Sequence, residues 1–220
     1  ASGNPTVDKA QPVIVSDGDD STTGTGDAII DFSGISDAHD IAVYDTNDNL
    51  LDYEIESLDT TAGTGVLWVY GSWTRDDTTQ IKLAYGNNAA NTDRQNQTGT
   101  WTNTGQNTVT AHHFNNNPIT GFNSVNQSTG TVTGTSSTSG QLDGAGDFDG
   151  SDDNIRATVQ PGAGSQTAVC LINLDSNQSA FDSDFIATFD SNFNSGFSLG
   201  TRDDKFTFTI VGANRVNSIT

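Results

Sequence analysis

Ile41-Ala42-Val43-Tyr44, then Asp45-Thr46-Asn47-Asp48-Asn49, then Leu50-Leu51-Asp52-Tyr53-Glu54-Ile55-Glu56 read as strand, turn and strand. The flanks are rich in β-branched and aromatic residues, and the short polar side chains between them suit a hairpin turn. Glu54 and Glu56 stand two apart on the second flank, so they share a face with Cα atoms roughly 6.5–7 Å apart. Similar runs lie at 11–15, 27–32, 65–70 and 78–85. In the last of these Ile81, Leu83 and Tyr85 alternate with Gln80 and Lys82. Six such strands predict a small β-sandwich over residues 1–95. A stretch of Asn, Thr, Gly and Gln around Trp101 follows and reads as a polar linker at 96–107. A second strand series at 108–114, 129–134, 146–148, 154–159, 167–174, 185–189, 196–200 and 205–211 fills 108–220, so the expected fold class is all-β.

Composition agrees. Hydrophobic residues make up 32% of the 220, and Gly numbers 23. That is too few apolar side chains for a helical bundle or coiled coil. No run approaches the roughly 18 apolar residues of a membrane span, so no membrane insertion is expected. Lys and Arg total 8 against 28 Asp and Glu, a net charge of -20. Such a chain repels phosphate backbones, which argues against nucleic acid as a partner. Glu54 and Glu56 are the only glutamates; the Asp excess suits turns between strands and a solvated surface tolerant of high salt. The single cysteine excludes an internal disulfide, and its apolar run, 167–172, predicts a small buried side chain. Met is absent and the chain starts at Ala1, which predicts a removed leader or a piece of a longer product.

Two stretches resemble known families. "L-x-Y-E-I-E" at Leu51–Glu56, "W-V" at Trp68-Val69 and "Y-G-N" at Tyr85-Gly86-Asn87 resemble a domain of unknown function, over roughly residues 11–95. That family occurs in secreted, cell-surface and viral structural proteins. Ala111-His112-His113-Phe114 and Asp147-Phe148-Asp149-Gly150-Ser151-Asp152-Asp153-Asn154-Ile155 resemble a concanavalin A-like jelly roll of the laminin-G and pentraxin type. The later strands of that family are missing after Thr220. The resemblance therefore implies a partial jelly roll over 108–220, completed by another segment or another subunit.

The chemistry on offer is sparse. A glycosidase needs an acid and a nucleophile, about 5–5.5 Å apart in retaining enzymes. Glu54 and Glu56 are the only glutamates, and both lie in the first domain. His39, His112 and His113 are the only histidines, and the adjacent pair points to opposite faces, unsuited to one metal. No Gly-x-Ser-x-Gly elbow is present. No enzyme activity is expected. Calcium is the favoured cation because Asp and loop carbonyls supply the oxygens it takes. The pentraxin resemblance places half of such a site at Asp153 and Asn154. Asp17-Gly18-Asp19-Asp20 and the 45–49 turn are further oxygen-rich loops. For sugars, Trp73 at a strand end and Trp101 in the linker are the expected stacking platforms, with Trp68 assigned to the core. Three Asn-x-Ser/Thr sequons, at Asn96, Asn126 and Asn177, matter only in a glycosylating host.

These readings converge on a non-catalytic, lectin-like adhesion or recognition protein of an extracellular, cell or virion surface. Its expected partners are a glycan or cell-surface polysaccharide and further subunits of the same assembly. The competing readings are a purely structural capsid, tail, fibre or filament subunit, and an accessory module of a secreted polysaccharide-degrading enzyme.

Overall fold

The computed structural model describes residues 6–16, 28–74, 79–87, 89–103, 107–157, 167–174, 183–189, 196–202 and 205–211. The chain is all-β, with one short α-helix among these residues, and divides into two compact units, Ala1–Val159 and Gln160–Thr220.

The first unit contains β1 (Thr6–Ser16), β2 (Ala28–Ile29), β3 (Ala42–Tyr44), β4 (Tyr53–Asp59), β5 (Thr64–Thr74) and β6 (Lys82–Ala84). Helix α1 (Gln97–Thr102) follows, then β7 (Gly121–Asn123), β8 (Ser128–Thr133), β9 (Ser136–Ser139), β10 (Gly144–Asp147) and β11 (Asn154–Arg156). The main sheet has the order β2-β1-β5-β4, with β1 and β2 parallel and the other pairs antiparallel. Pro12 sits in β1 opposite Trp68, where among the described residues β1 pairs with β5 alone. The pair β3-β6 packs across from this sheet. Between them lies an apolar core of Val15, Ile41, Val43, Tyr53, Leu67 and Val69, with Ile55 and Leu83 packed against it. Buried Tyr53 keeps its hydroxyl satisfied by donating to the Ile41 carbonyl, 2.6 Å.

The turn at 45–49 forms as expected. The Asp45 carboxylate accepts from the backbone N–H groups of Asn47 and Asn49 at 2.8 and 2.9 Å. The hairpin does not propagate, however. Only Tyr44 and Leu50 bridge; β3 pairs with β6, and β4 leaves to join the long strand β5. With β5 it pairs from Tyr53 to Asp59, with one irregularity between Ile55 and Ser57.

Within the polar stretch, Gln97–Thr102 form the helix α1. Asn96 caps α1, accepting from Gly99 N–H at 3.0 Å, and Asp52 clamps both helix ends, taking Asn96 Nδ2 at 2.7 Å and Asn103 Nδ2 at 2.6 Å. Side-chain hydrogen bonds fasten the helix where apolar residues are scarce. Its Trp101 and Thr100 are buried.

Among the described residues, 108–157 form two small sheets, β11-β8-β7 and β10-β9. In the second unit β12 (Ser183–Phe189), β13 (Gly196–Arg202) and β14 (Lys205–Val211) form one antiparallel sheet in that order. The strand expected at 167–174 is absent: these residues carry no ladder, Val169 is 87% exposed, and Cys170 is exposed rather than buried. An apolar run becomes a strand only where another strand and another layer take it up. The Asp17–Asp20 loop and the Asn177 sequon lie outside the described residues.

A buried Glu–His–Glu cluster as the candidate functional site

On the side of the main sheet opposite the apolar core, β4 carries a polar cluster that is itself buried. Alternation along β4 sends Tyr53 and Ile55 to the core and Glu54 to the other face, opposite Trp68 in register. A bulge between Ile55 and Ser57 leaves Glu56 without a register partner and re-aims its side chain. Glu54 and Glu56 are 2% and 9% exposed, extreme values for carboxylates, which require partners when buried.

The partners come from the segment that covers this face. Glu54 Oε2 accepts from the Trp101 indole N–H at 2.6 Å and from His113 Nε2 at 3.1 Å; Glu54 Oε1 accepts from the Ser124 hydroxyl at 2.6 Å. Glu56 Oε2 accepts from the Trp68 indole at 2.5 Å and lies 3.4 Å from His113 Nδ1. The Asn115 side chain donates to the Glu56 backbone carbonyl. His113 therefore sits with one ring nitrogen toward each glutamate. Trp68 and Trp101 flank it at centroid distances of 5.6 and 5.7 Å, close enough for cation–π attraction.

Burial alone would push the His113 pKa down, but hydrogen bonds and charge attraction from Glu54 and Glu56 outweigh it and raise it to about 9. Burial would likewise raise Glu54, yet His113, Ser124 and Trp101 together hold it below its usual value. At neutral pH His113 is an imidazolium held between the two glutamates, with Glu54 ionised. His112, the next residue, is the opposite case. Its Nδ1 lies 2.7 Å from the Phe122 carbonyl, and burial lowers its pKa, so it is neutral.

A cleft of about 160 Å³ opens over the cluster. Glu56, Asn115, Asn116, Thr120, Phe114 and Phe122 line it, and it reaches down to Glu54 and His113. Phe114 holds a left-handed backbone, φ 58°, where a bulky residue is strained.

The residues singled out from sequence lie elsewhere or in other roles. Trp101 is no exposed platform; it is 9% exposed and committed to Glu54. Trp68 packs on the polar face rather than in the apolar core. Trp73 is half-buried against that core, with its indole N–H donating to the Lys9 carbonyl at 2.7 Å. Asp153 joins Asp149 and Asp152 in an exposed acidic turn, with ligand oxygens within 4.8 Å of one another. Within the turn Asp153 Oδ2 accepts from Asp149 N–H, and Asp149 Oδ1 accepts from Ser151 N–H. Asn154 donates its side-chain amide N–H to the Asp152 carbonyl at 3.2 Å.

Fold and site together define an all-β domain organised around a buried Glu–His–Glu cluster. Residues 37–125 match the family described as Domain of unknown function (DUF2341). This span starts later than the expected 11–95 and runs on through 125, so it takes in Trp101, His113 and Ser124 along with both glutamates. No curated protein and no solved structure matches the chain.

Proposed function

We propose that this chain is a non-catalytic recognition or adhesion module of an extracellular, cell or virion surface, with a glycan as its ligand. The observation that carries the reading is the cleft over the cluster, lined by a carboxylate, side-chain amides, a hydroxyl and two phenyl rings. Sugar hydroxyls both donate and accept, and their C–H faces pack on aromatic rings. A small concave site with convergent polar groups is the usual form of such a pocket.

The cluster beneath argues against turnover. A glycosidase keeps one carboxylic acid protonated by raising its pKa, whereas Glu54 is lowered and accepts three hydrogen bonds. His113, already protonated and held by both glutamates, is no base at neutral pH. Incubation with a panel of polysaccharides tests the reading: retention on glycan without release of reducing ends is expected. Hydrolysis that disappears in Glu54→Gln or Glu56→Gln would overturn it.

A second reading, a structural subunit completed by neighbouring copies as the partial jelly roll implies, draws support from the second unit. Leu171 and Phe206 there are 74% and 62% exposed.

A further inference from the structure

We propose that the cleft over Glu54, His113 and Glu56 takes a single uncharged sugar residue, the terminal unit of a neutral glycan, and rejects acidic ones. This rests on the glycan reading above and names the class within it. Size comes first. At about 160 Å³ the cleft is well below the roughly 300–1,000 Å³ of pockets for drug-sized ligands, so it admits one ring and not a chain.

Charge comes second. Two glutamate side chains, Glu54 and Glu56, face the one imidazolium of His113, and Asp143, its pKa raised by burial and then by Glu56, stands nearby. The imidazolium is spent on the two glutamates, and no Lys or Arg among the described residues lines the cleft. A uronate, sialate or sulfate would meet uncompensated negative charge in a partly dry site, a cost that no group there offsets.

Donors and acceptors come third. Asn116 Nδ2 donates to Thr120 Oγ1 at 3.1 Å, which orients the pair while leaving the Asn116 carbonyl oxygen and the Thr120 hydroxyl proton for ligand hydroxyls. Phe114 and Phe122 supply the apolar wall. The strain at Phe114 is of the kind stored where a side chain is held for a ligand. His112 stacks on its ring at 5.7 Å with planes 7° apart and holds it there.

The test is saturation-transfer NMR on the full 220-residue chain. The probes are matched oligosaccharides ending in a neutral hexose or N-acetylhexosamine, or in a uronic acid, sialic acid or sulfated sugar. Asn116→Ala/Thr120→Ala is compared with Trp73→Ala. Asn116 is exposed and its bond to Thr120 is a surface one, so the double variant keeps the fold, checked by its melting temperature. Supporting the proposal are binding of neutral-ended sugars only, a loss of roughly tenfold or more in Asn116→Ala/Thr120→Ala, and no change in Trp73→Ala. Cleft-dependent binding of acidic termini overturns the assigned class. Glycan binding lost in Trp73→Ala, and untouched by the double variant, overturns the site while the glycan reading survives. No binding to any glycan overturns both.

Discussion

Tyr53 and Glu54 are consecutive in one strand, and both are buried, but they belong to two cores of different kinds. On one face of β4 and β5, Tyr53, Leu67 and Val69 pack against Val15, Ile41 and Val43. On the other, Glu54, Glu56 and Trp68 meet His113, Trp101 and Ser124 through hydrogen bonds. The backbone is shared, so the difference is one of energetics. An apolar core loses stability in proportion to the volume removed, because contacts are many and individually weak. A buried polar network is close to all-or-none: each member is worth keeping only while the others satisfy it.

Removing Glu54 has the largest expected effect. Glu54→Ala strips partners from Trp101, Ser124 and half of His113, and should cost about 3–5 kcal/mol in urea unfolding. Leu67→Ala should cost about 2–5 kcal/mol by leaving a cavity. The comparison sharpens in the doubles. Glu54→Ala with His113→Ala should cost less than the sum of the singles, because both singles break the same Glu54–His113 contact. Leu67→Ala with His113→Ala should be additive. Additivity in both doubles would mean the two faces do not differ in kind.

The pH dependence separates them next. His113 has a folded pKa of about 9 against an ordinary 6.5, so its stabilisation is complete below 6.5 and is lost as pH rises through 9. That shift corresponds to something on the order of 3 kcal/mol. His112 is lowered by burial and is neutral in both folded and unfolded chains above 6.5, so it leaves that slope alone. Glu54 is lowered, so its contribution is present above its ordinary 4.5 and fades as pH falls through its lowered value. Denaturant midpoints should therefore fall between pH 6.5 and 9 in the native chain and stay level in His113→Leu. Equal slopes in the two proteins would show His113 neutral in the fold.

How much of this could be read beforehand follows the same division. Strands facing the apolar core announced themselves by alternation, as Ile81 and Leu83 do against Gln80 and Lys82. The polar core carried almost no pattern. A hydrogen-bonded interior does not need an apolar stripe, so Gln97-Thr98-Gly99-Thr100-Trp101-Thr102 looked like a linker while forming a helix that buries Thr100 and Trp101. Two signals were present: a lone Trp in a polar stretch, and the only two glutamates of a chain with 28 acids placed on one face of a strand. What the sequence could not show is the bulge at Glu56 or the 59-residue separation that brings His113 to Glu54. The run around Cys170 failed the other way, since a strand-like composition found no ladder among the described residues.

A smaller effect is expected at Gly99, where α1 touches the clamp that seats it. A Cβ there would run into the Asn96 side chain and come within 2.9 Å of Asp52 Cγ. Gly99→Ala should cost about 1–3 kcal/mol by loosening Asp52 from Asn96 and Asn103, even though Ala is the better helix former. Tryptophan fluorescence should shift to the red as Trp101 meets water. A stabilised Gly99→Ala would mean that helix propensity outweighs the clamp.

The smallest expected effect belongs to the surface and to neither core. With a net charge of -20, the folded chain repels itself, and among the described residues the exposed ion pair Lys82–Asp48 relieves little of it. Molar NaCl shortens the Debye length to about 3 Å and screens charges that face water, while the partners of His113 are in direct contact and largely shielded from ions. The melting temperature should therefore rise from low to molar NaCl by a similar few degrees in the native chain, Leu67→Ala and His113→Leu. A rise confined to the native chain and Leu67→Ala would place the salt response in the Glu–His–Glu cluster. A flat curve in all three would mean the Asp-rich turns are already spaced widely enough not to repel.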